Sequence, residues 1–343
     1  MTLFPCCKRR LCAGLLMLAG LLSVGAPRAR TYTGVIERGG YLRREEVQRF
    51  IDDLNARRGI DIVKLRSILA QATKQPRILE LVSSPAESKP WSEYRPIFLT
   101  EERIAKGVDF WEKNEKALAR AEQVYGVPPE IIVGIIGVET FYGTRMGRFS
   151  VLDALATLGF DYPPRSAFFL GQLEELILLA GEEHLNPAAL KGSYAGAMGM
   201  GQFIPGSYRR FAVDFDNDGD RDLFTSAEDA IGSVANYFQK HGWRPGGWVI
   251  SPARVVGDKA AALKANDRMP RYSPAELTAA GIFSSDPKAP DEKLVYLRLE
   301  GARGTEHWVG HHNFFVITEY NHSVKYALAV YQLGREIKRR RNR

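Results

Sequence analysis

The sequence predicts an α+β fold that is mostly α, with a small β portion towards the C-terminal end. Three observations predict it. Apolar residues recur at helical spacing from about Leu42 to Ala72, in several segments between Thr100 and residue 241, and again from Ser323 to Lys338. The runs "KLVYLRLE", "EHWVG" and "NFFVI", between residues 293 and 317, alternate or run apolar as short strands do. A composition of 45% hydrophobic and 25% charged residues in a 343-residue chain excludes collagen, disorder and a helical membrane bundle, and allows more than one packed unit.

Residues 1–25 read as a secretory leader outside the fold. Lys8, Arg9 and Arg10 make a basic start, Leu11 to Val24 is a short apolar run, and the small Ser23 and Gly25 suit a cut after Gly25. The run is short for a spanning helix of about 20 apolar residues; left uncut, it would anchor the chain at a membrane. Cys6, Cys7 and Cys12 all lie in this leader, so the exported chain would carry no disulfide and no thiolate metal site. Without the leader's three cations the formal charge falls from +7 to +4, much of it in "REIKRRRNR" at the end. Such a tail is either solvated or in contact with an anionic wall or lipid surface. Nucleic acid is a poor partner for an exported chain.

An N-terminal helical region occupies 34–100. Val47, Phe50, Ile51 and Leu54 form one helical stripe that stops at Gly59, whereas 76–99, with Pro76, Pro85, Pro90 and Pro96, reads as an extended connector. A central unit covers 101–245. Its first helix is capped by Thr100, has Glu101 and Glu102 in the positive first turn, and runs to Gly126. The next opens near Pro128 and leads to Glu139. "SVLDALATL" and "FFLGQLEELILLAGEEH" are two more helices, followed by a small-residue loop (192–207), an acidic loop (214–222) and a helix over 226–241. A mixed region with the small β portion follows (246–320), including a short helix capped by Ser273-Pro274. A C-terminal helix with the basic tail (321–343) ends the chain.

Chemistry enters at "EIIVGIIGVETFYG" (130–143). Ile131, Ile132, Ile135, Ile136 and Val138 surround this helix, so it belongs in the core. Glu139 lies at its C-terminal end, where burial and the helix dipole both favour the neutral acid. A protonated Glu in an apolar lining is what glycosidic cleavage requires, because the leaving oxygen must receive a proton. The competing reading is a buried Glu satisfied by Arg145 or Arg148. In "GSYAGAMGMGQFIPGSY" (192–208), Gly192, Gly196, Gly199 and Gly201 bring bare backbone to a surface, with Ser193 and Gln202 as hydrogen-bonding groups; tight packing would explain the glycines equally well.

"GVETFYG", "GAMGMGQFIPGSY", "DAIGSVANYF" and "ITEYNHSVKYALAV", in this order, resemble the signature segments of the lytic murein transglycosylases of glycoside hydrolase family 103, over about Gly34 to Gly334. The resemblance implies a lysozyme-like catalytic core flanked by a helical domain and a small β domain, and a monomeric protein of the periplasm, soluble or membrane-associated. It implies that Glu139 is the catalytic acid, that Ser193 and Gln202 contact sugar, and that Tyr237, Tyr320, Asn321 and Tyr326 line the site. Aromatic faces suit sugar rings, and amides and hydroxyls suit hydroxyls and acetamides; core packing remains the alternative for any one tyrosine. The implied partners are peptidoglycan glycan strands, and other wall-remodelling proteins after them.

A typical glycosidase pairs two acids across the bond, yet neither Asp153, in a helix pattern, nor Asp161, before Pro163-Pro164, has supporting context. The resemblance supplies substrate assistance instead. The acetamide of the substrate would stabilise the cationic carbon while Glu139, as acid and then base, closes a 1,6-anhydro ring. A lysozyme-type hydrolase and a non-catalytic wall-binding protein are the other two readings. The six histidines show no H-E-x-x-H spacing, and no G-x-S-x-G elbow is present.

The acidic loop "DFDNDGDRDLFT" places Asp214, Asp216, Asp218, Asp220 and Asp222 at positions 1, 3, 5, 7 and 9 of an EF-hand count, with Gly219 at 6. Such a cluster calls for a hard cation, Ca²⁺, in a structural role. Thr225 stands where a bidentate Glu is usual. A capping box from Thr225 to Glu228 would occupy Glu228 and leave Asp229 as the last ligand. The resembled enzyme also has calcium here.

Overall fold

The computed structural model describes residues 40–83, 89–288 and 291–343. The leader lies outside the described residues.

The N-terminal region holds α1 (Glu45–Arg58), α2 (Ile62–Leu69), α3 (Pro76–Val82) and α4 (Trp91–Phe98). The extended connector expected over 76–99 is therefore corrected: two of its prolines start helices instead of preventing them. Pro76 is the first residue of α3 and Pro90 the N-cap of α4, positions that need no donor. Pro96 sits inside α4, which holds because Trp91, Tyr94 and Phe98 are buried on one side.

In the central unit, α5 (Glu101–Lys113) starts as expected, with the Thr100 hydroxyl accepting from the Arg103 N–H. The single long helix is in fact two, because Asn114 leaves helical geometry before α6 (Glu115–Tyr125) and Gly126 closes it with φ 71°. Next come α7 (Pro129–Thr140), β1 (Phe149–Ser150), α8 (Val151–Asp161) and α9 (Ser166–Glu182). They are followed by β2 (Lys191–Gly192), α10 (Pro205–Phe211) and α11 (Ala227–Lys240).

The β portion is a four-stranded antiparallel sheet in the order β4-β3-β6-β5, from β3 (Ile250–Val255), β4 (Ile282–Ser284), β5 (Val295–Gly301) and β6 (Gly304–Gly310), with α12 (Pro274–Ala279) between β3 and β4. Two of its strands come from "KLVYLRLE" and "EHWVG"; β3 and β4 were hidden in the Gly- and Pro-bearing stretch. Pro252 is tolerated in β3 because β4 pairs only from Ala253 onward. "NFFVI" is corrected from strand to helix, as part of α13 (His312–Tyr320). Burial on nearly all sides erases the period that separates the two. α14 (Val324–Arg341) ends the chain.

One apolar core runs from Tyr41 to Ile337 through the helices, and a smaller one, including Leu277, Ile282, Tyr296 and Val309, lies in the sheet region. Every residue of α7 is buried. α14 crosses it antiparallel at two glycines: a Cβ on Gly134 would lie 2.6 Å from the Val330 carbonyl oxygen, and one on Gly334 would lie 2.0 Å from that of Glu130. This close approach fixes the register that sets Tyr326 opposite Glu139.

The basic tail is not a tail. Four of its six cations lie in the last turn of α14 and pair with glutamates: Lys338 with Glu130, Arg339 with Glu336, Arg340 with Glu101 and Arg341 with Glu115. Among the described residues no helix is long and apolar enough to cross a membrane.

Candidate active site and acidic loop

α7 carries two buried glutamates in opposite settings. Glu130 lies in the first turn, where the dipole favours an anion, and receives Lys338 Nζ at 2.8 Å. Glu139, one residue before the other end, has no cation within ion-pair distance among the described residues. Arg145, one of its two candidate partners, instead lies over the Phe141 ring, 4.6 Å from its centroid. Among the described residues, the hydrogen bond to the Glu139 carboxyl comes from Tyr326, whose hydroxyl donates to Oε1 at 2.5 Å. Burial pushes the Glu139 pKa up to about 8, and the Tyr326 bond pulls it back in part; among the described residues no second carboxylate acts on it.

The chain leaves α7 through an unusual turn. Phe141, Tyr142 and Gly143 have φ of 52°, 60° and 82°, three left-handed residues in succession. Two contacts hold them there. The Tyr142 hydroxyl donates to the Arg103 carbonyl at 2.8 Å, and the Gly143 N–H donates to Thr140 Oγ1 at 2.9 Å. Thr140 in turn donates to the Met200 carbonyl at 2.8 Å, tying the small-residue loop to the helix beside Glu139. Thr140 and Tyr142 were not singled out from the sequence; the signal available was their place within "VETFYG".

The glycines of that loop are needed for close packing as well as for access. At Gly199, φ is 69° and a Cβ would lie 2.5 Å from the Leu223 carbonyl oxygen. At Gly201, a Cβ would meet the Tyr320 hydroxyl at 3.0 Å. Ser193 Oγ accepts from the N–H groups of Ala195 and Ala197 at 3.2 and 3.1 Å, so it braces the turn and keeps its own proton to donate. Gln202, at φ 52°, donates its amide to the carbonyls of Met146 and Gly199.

The aromatic residues named from the sequence converge. The Tyr320 hydroxyl donates to the Gly201 carbonyl at 2.5 Å, and its ring meets Tyr237 edge-on with centroids 4.8 Å apart. Tyr237 donates to the Glu319 carbonyl at 2.7 Å and stacks on His241. Burial raises the Tyr320 hydroxyl pKa, and the Glu139 carboxylate and Tyr237 nearby raise it further. Asn321 is buried, and neither its Oδ1 nor its Nδ2 has a partner among the described residues. Asp153 and Asp161 stand elsewhere, in structural roles. Asp153 accepts from the Thr73 N–H and from Gln75, while Asp161 accepts from Tyr41, Arg44 and Lys74.

In the acidic loop, one carboxylate oxygen each from Asp214, Asp216 and Asp229 lies within 4.8 Å of the others. Asp218 and Asp220 are exposed and outside that group. The capping box expected from Thr225 to Glu228 is corrected. Ser226 is the N-cap of α11 and accepts from the Asp229 N–H, while Thr225 hydrogen-bonds to Asp222. Asp229 is fully buried and ties the loop shut: Oδ1 accepts from the N–H groups of Phe215 and Asp216 at 2.6 and 3.2 Å, and Oδ2 from that of Asp222 at 2.8 Å. The loop's exit then supports the glycine loop, since the Met200 N–H donates to the Leu223 carbonyl at 2.8 Å.

Comparison with known proteins places the chain in a family. Residues 43–335 match the model of the transglycosylase SLT domain. The chain is 45% identical over 314 residues to membrane-bound lytic murein transglycosylase B of Escherichia coli (strain K12), covering 88% of this chain and 86% of the relative. Its fold matches that of catenated lytic transglycosylase SltB1 from Pseudomonas aeruginosa with a TM-score of 0.84 at 48% identity, over 87% of this chain and 98% of that one. The Escherichia coli lytic transglycosylase Slt35 in complex with calcium matches with a TM-score of 0.83 at 44% identity, over 91% and 99%. The family model matched over residues 43–335, together with 45% identity across 88% of the chain, shows that the chain belongs to the transglycosylase SLT domain family.

Proposed function

We propose that the protein is a peptidoglycan lytic transglycosylase, cleaving the β-1,4 bond between N-acetylmuramic acid and N-acetylglucosamine and leaving 1,6-anhydromuramyl ends. The observation that carries this is the burial of Glu139 with neither a cation nor a second carboxylate paired to it among the described residues, a setting that raises its pKa and favours the neutral acid. Its proton goes to the glycosidic oxygen as the bond to C1 breaks. The acetamide of the muramyl residue stabilises the developing cation. The Glu139 carboxylate then takes the proton of the C6 hydroxyl as O6 bonds to C1, and no water is consumed. Tyr326 suits both halves of this cycle, because its hydrogen bond favours the carboxylate that desolvation opposes. The amide of Asn321, without a partner among the described residues, offers a donating NH2 and an accepting carbonyl, the complement of an acetamide. The Ser193 hydroxyl, Gln202, Tyr237 and Tyr320 would line the sugar path.

Calcium fits the acidic loop as a structural ion. Three oxygen donors converge at Asp214, Asp216 and Asp229, and a hard cation would cancel their repulsion. Asp218 and Asp220 would complete the set from the exposed side. The ion would hold the strand that carries Leu223 against the glycine loop, and it has no part in the reaction. We place the protein outside the cytoplasm, acting on glycan strands of the wall.

Product analysis tests the reaction. Wild type on purified peptidoglycan is expected to yield fragments one water lighter than hydrolytic ones, and Glu139→Gln to yield them at a rate lower by a factor of about 10²–10⁴. Products of hydrolytic mass would instead establish a lysozyme-type enzyme.

A further inference from the structure

Two adjoining clefts of about 580 Å³ each lie between α4, the β5–β6 hairpin and α14, and share Arg95, Trp308 and Gln332. The site around Glu139 uses none of these residues. Trp308 is held in place: its Nε1 and that of buried Trp91 both donate to Glu306 Oε2, at 3.3 and 3.2 Å. Glu306 therefore serves the two indoles. Arg95 is oriented by a 2.7 Å bond from its Nε to Gln332 Oε1. Arg95, Arg303 and Arg335 are exposed, and none has a carboxylate within ion-pair distance among the described residues. Glu336, the other carboxylate of the lining, pairs with Arg339, so the result is a cleft of net positive charge with one aromatic wall, of a volume that holds a small ligand.

We propose that this cleft is a second peptidoglycan-binding site, taking the carboxylate-bearing peptide stem of a muramyl residue. The inference rests on the lytic reading above for its choice of polymer. Guanidinium groups pair with carboxylates through two parallel hydrogen bonds, and an indole face packs on a sugar ring. A muramyl peptide presents both features side by side, and a bare glycan strand lacks the charge. Binding a stem here would hold the enzyme on its polymer between cleavage events and favour strands that bear peptides.

The test uses the full chain and two soluble probes by calorimetry, N-acetylmuramyl-L-alanyl-D-glutamate with free carboxylates and its diamide. Wild type is expected to bind the free acid about tenfold more tightly than the diamide, and the double variant Arg303→Glu/Arg335→Glu to lose that preference. The variant should cleave peptide-free glycan strands at the wild-type rate and intact peptidoglycan more slowly. An unchanged preference in the variant overturns the proposal. So does inorganic phosphate binding as tightly as the free acid, which would mark a general anion site. Failure of wild type to cleave either substrate would sink the lytic reading instead, leaving the calorimetry to decide the cleft.

Discussion

Glu139→Gln changes one protonatable group and almost no volume, so its effect on stability against pH can be worked out from the structure. In the folded chain the carboxyl titrates at about 8, against an ordinary 4.5. A raised pKa means that the native state binds the proton more tightly than the unfolded chain does. The associated stability is complete below about pH 4.5 and is lost as pH rises towards 8. At pH 7 the native side chain is still mostly protonated while the unfolded one is ionised, a cost of about 3 kcal/mol relative to acid solution. Glutamine bears no such cost. Urea unfolding of both proteins from pH 4 to pH 9 should therefore show the variant gaining on wild type by about 3 kcal/mol between pH 4 and pH 7. Every other titrating group cancels in the difference. The same variant should lose cleavage by a factor of about 10²–10⁴, the usual contribution of a general acid. Parallel stability curves would refute the reasoning, because they would mean that the carboxyl is ionised in the folded protein.

Other consequences follow from the same geometry. Tyr326→Phe removes the bond that favours the carboxylate, so the alkaline limb of the rate–pH profile should move to higher pH, with a stability loss of about 1 kcal/mol by urea titration. Gly199→Ala puts a Cβ against the Leu223 carbonyl at a left-handed φ and should cost about 2–3 kcal/mol in the same assay. Calcium at a hundredfold its Kd should stabilise wild type by about 2.7 kcal/mol, read as a rise in Tm that chelation reverses and that Asp216→Asn reduces. Asp229→Ala should lower Tm even without calcium, because three N–H groups lose their acceptor.

The sequence by itself determined the helical character of most of the chain and the placement of one carboxylate in an apolar helix. It also pointed to the glycine loop and to an acidic loop with EF-hand spacing. These are local facts, written in period, in small residues and in charge spacing. What it misplaced was decided by burial. "NFFVI" became helix because a segment covered on all sides carries no period, and residues 76–99 became two helices because apolar packing used prolines as helix starts. Thr225 lost the N-cap to Ser226, a choice between adjacent hydroxyls that spacing does not resolve. Only the tertiary structure decided which group meets Glu139. Tyr326 lies 187 positions away, and its place follows from two glycines that let α7 and α14 approach until their backbones touch. Arg145 and Arg148 are close to Glu139 in sequence, but no ion pair joins either to it among the described residues. Whether a buried acid is neutralised by a cation or held protonated depends on what the fold packs against it.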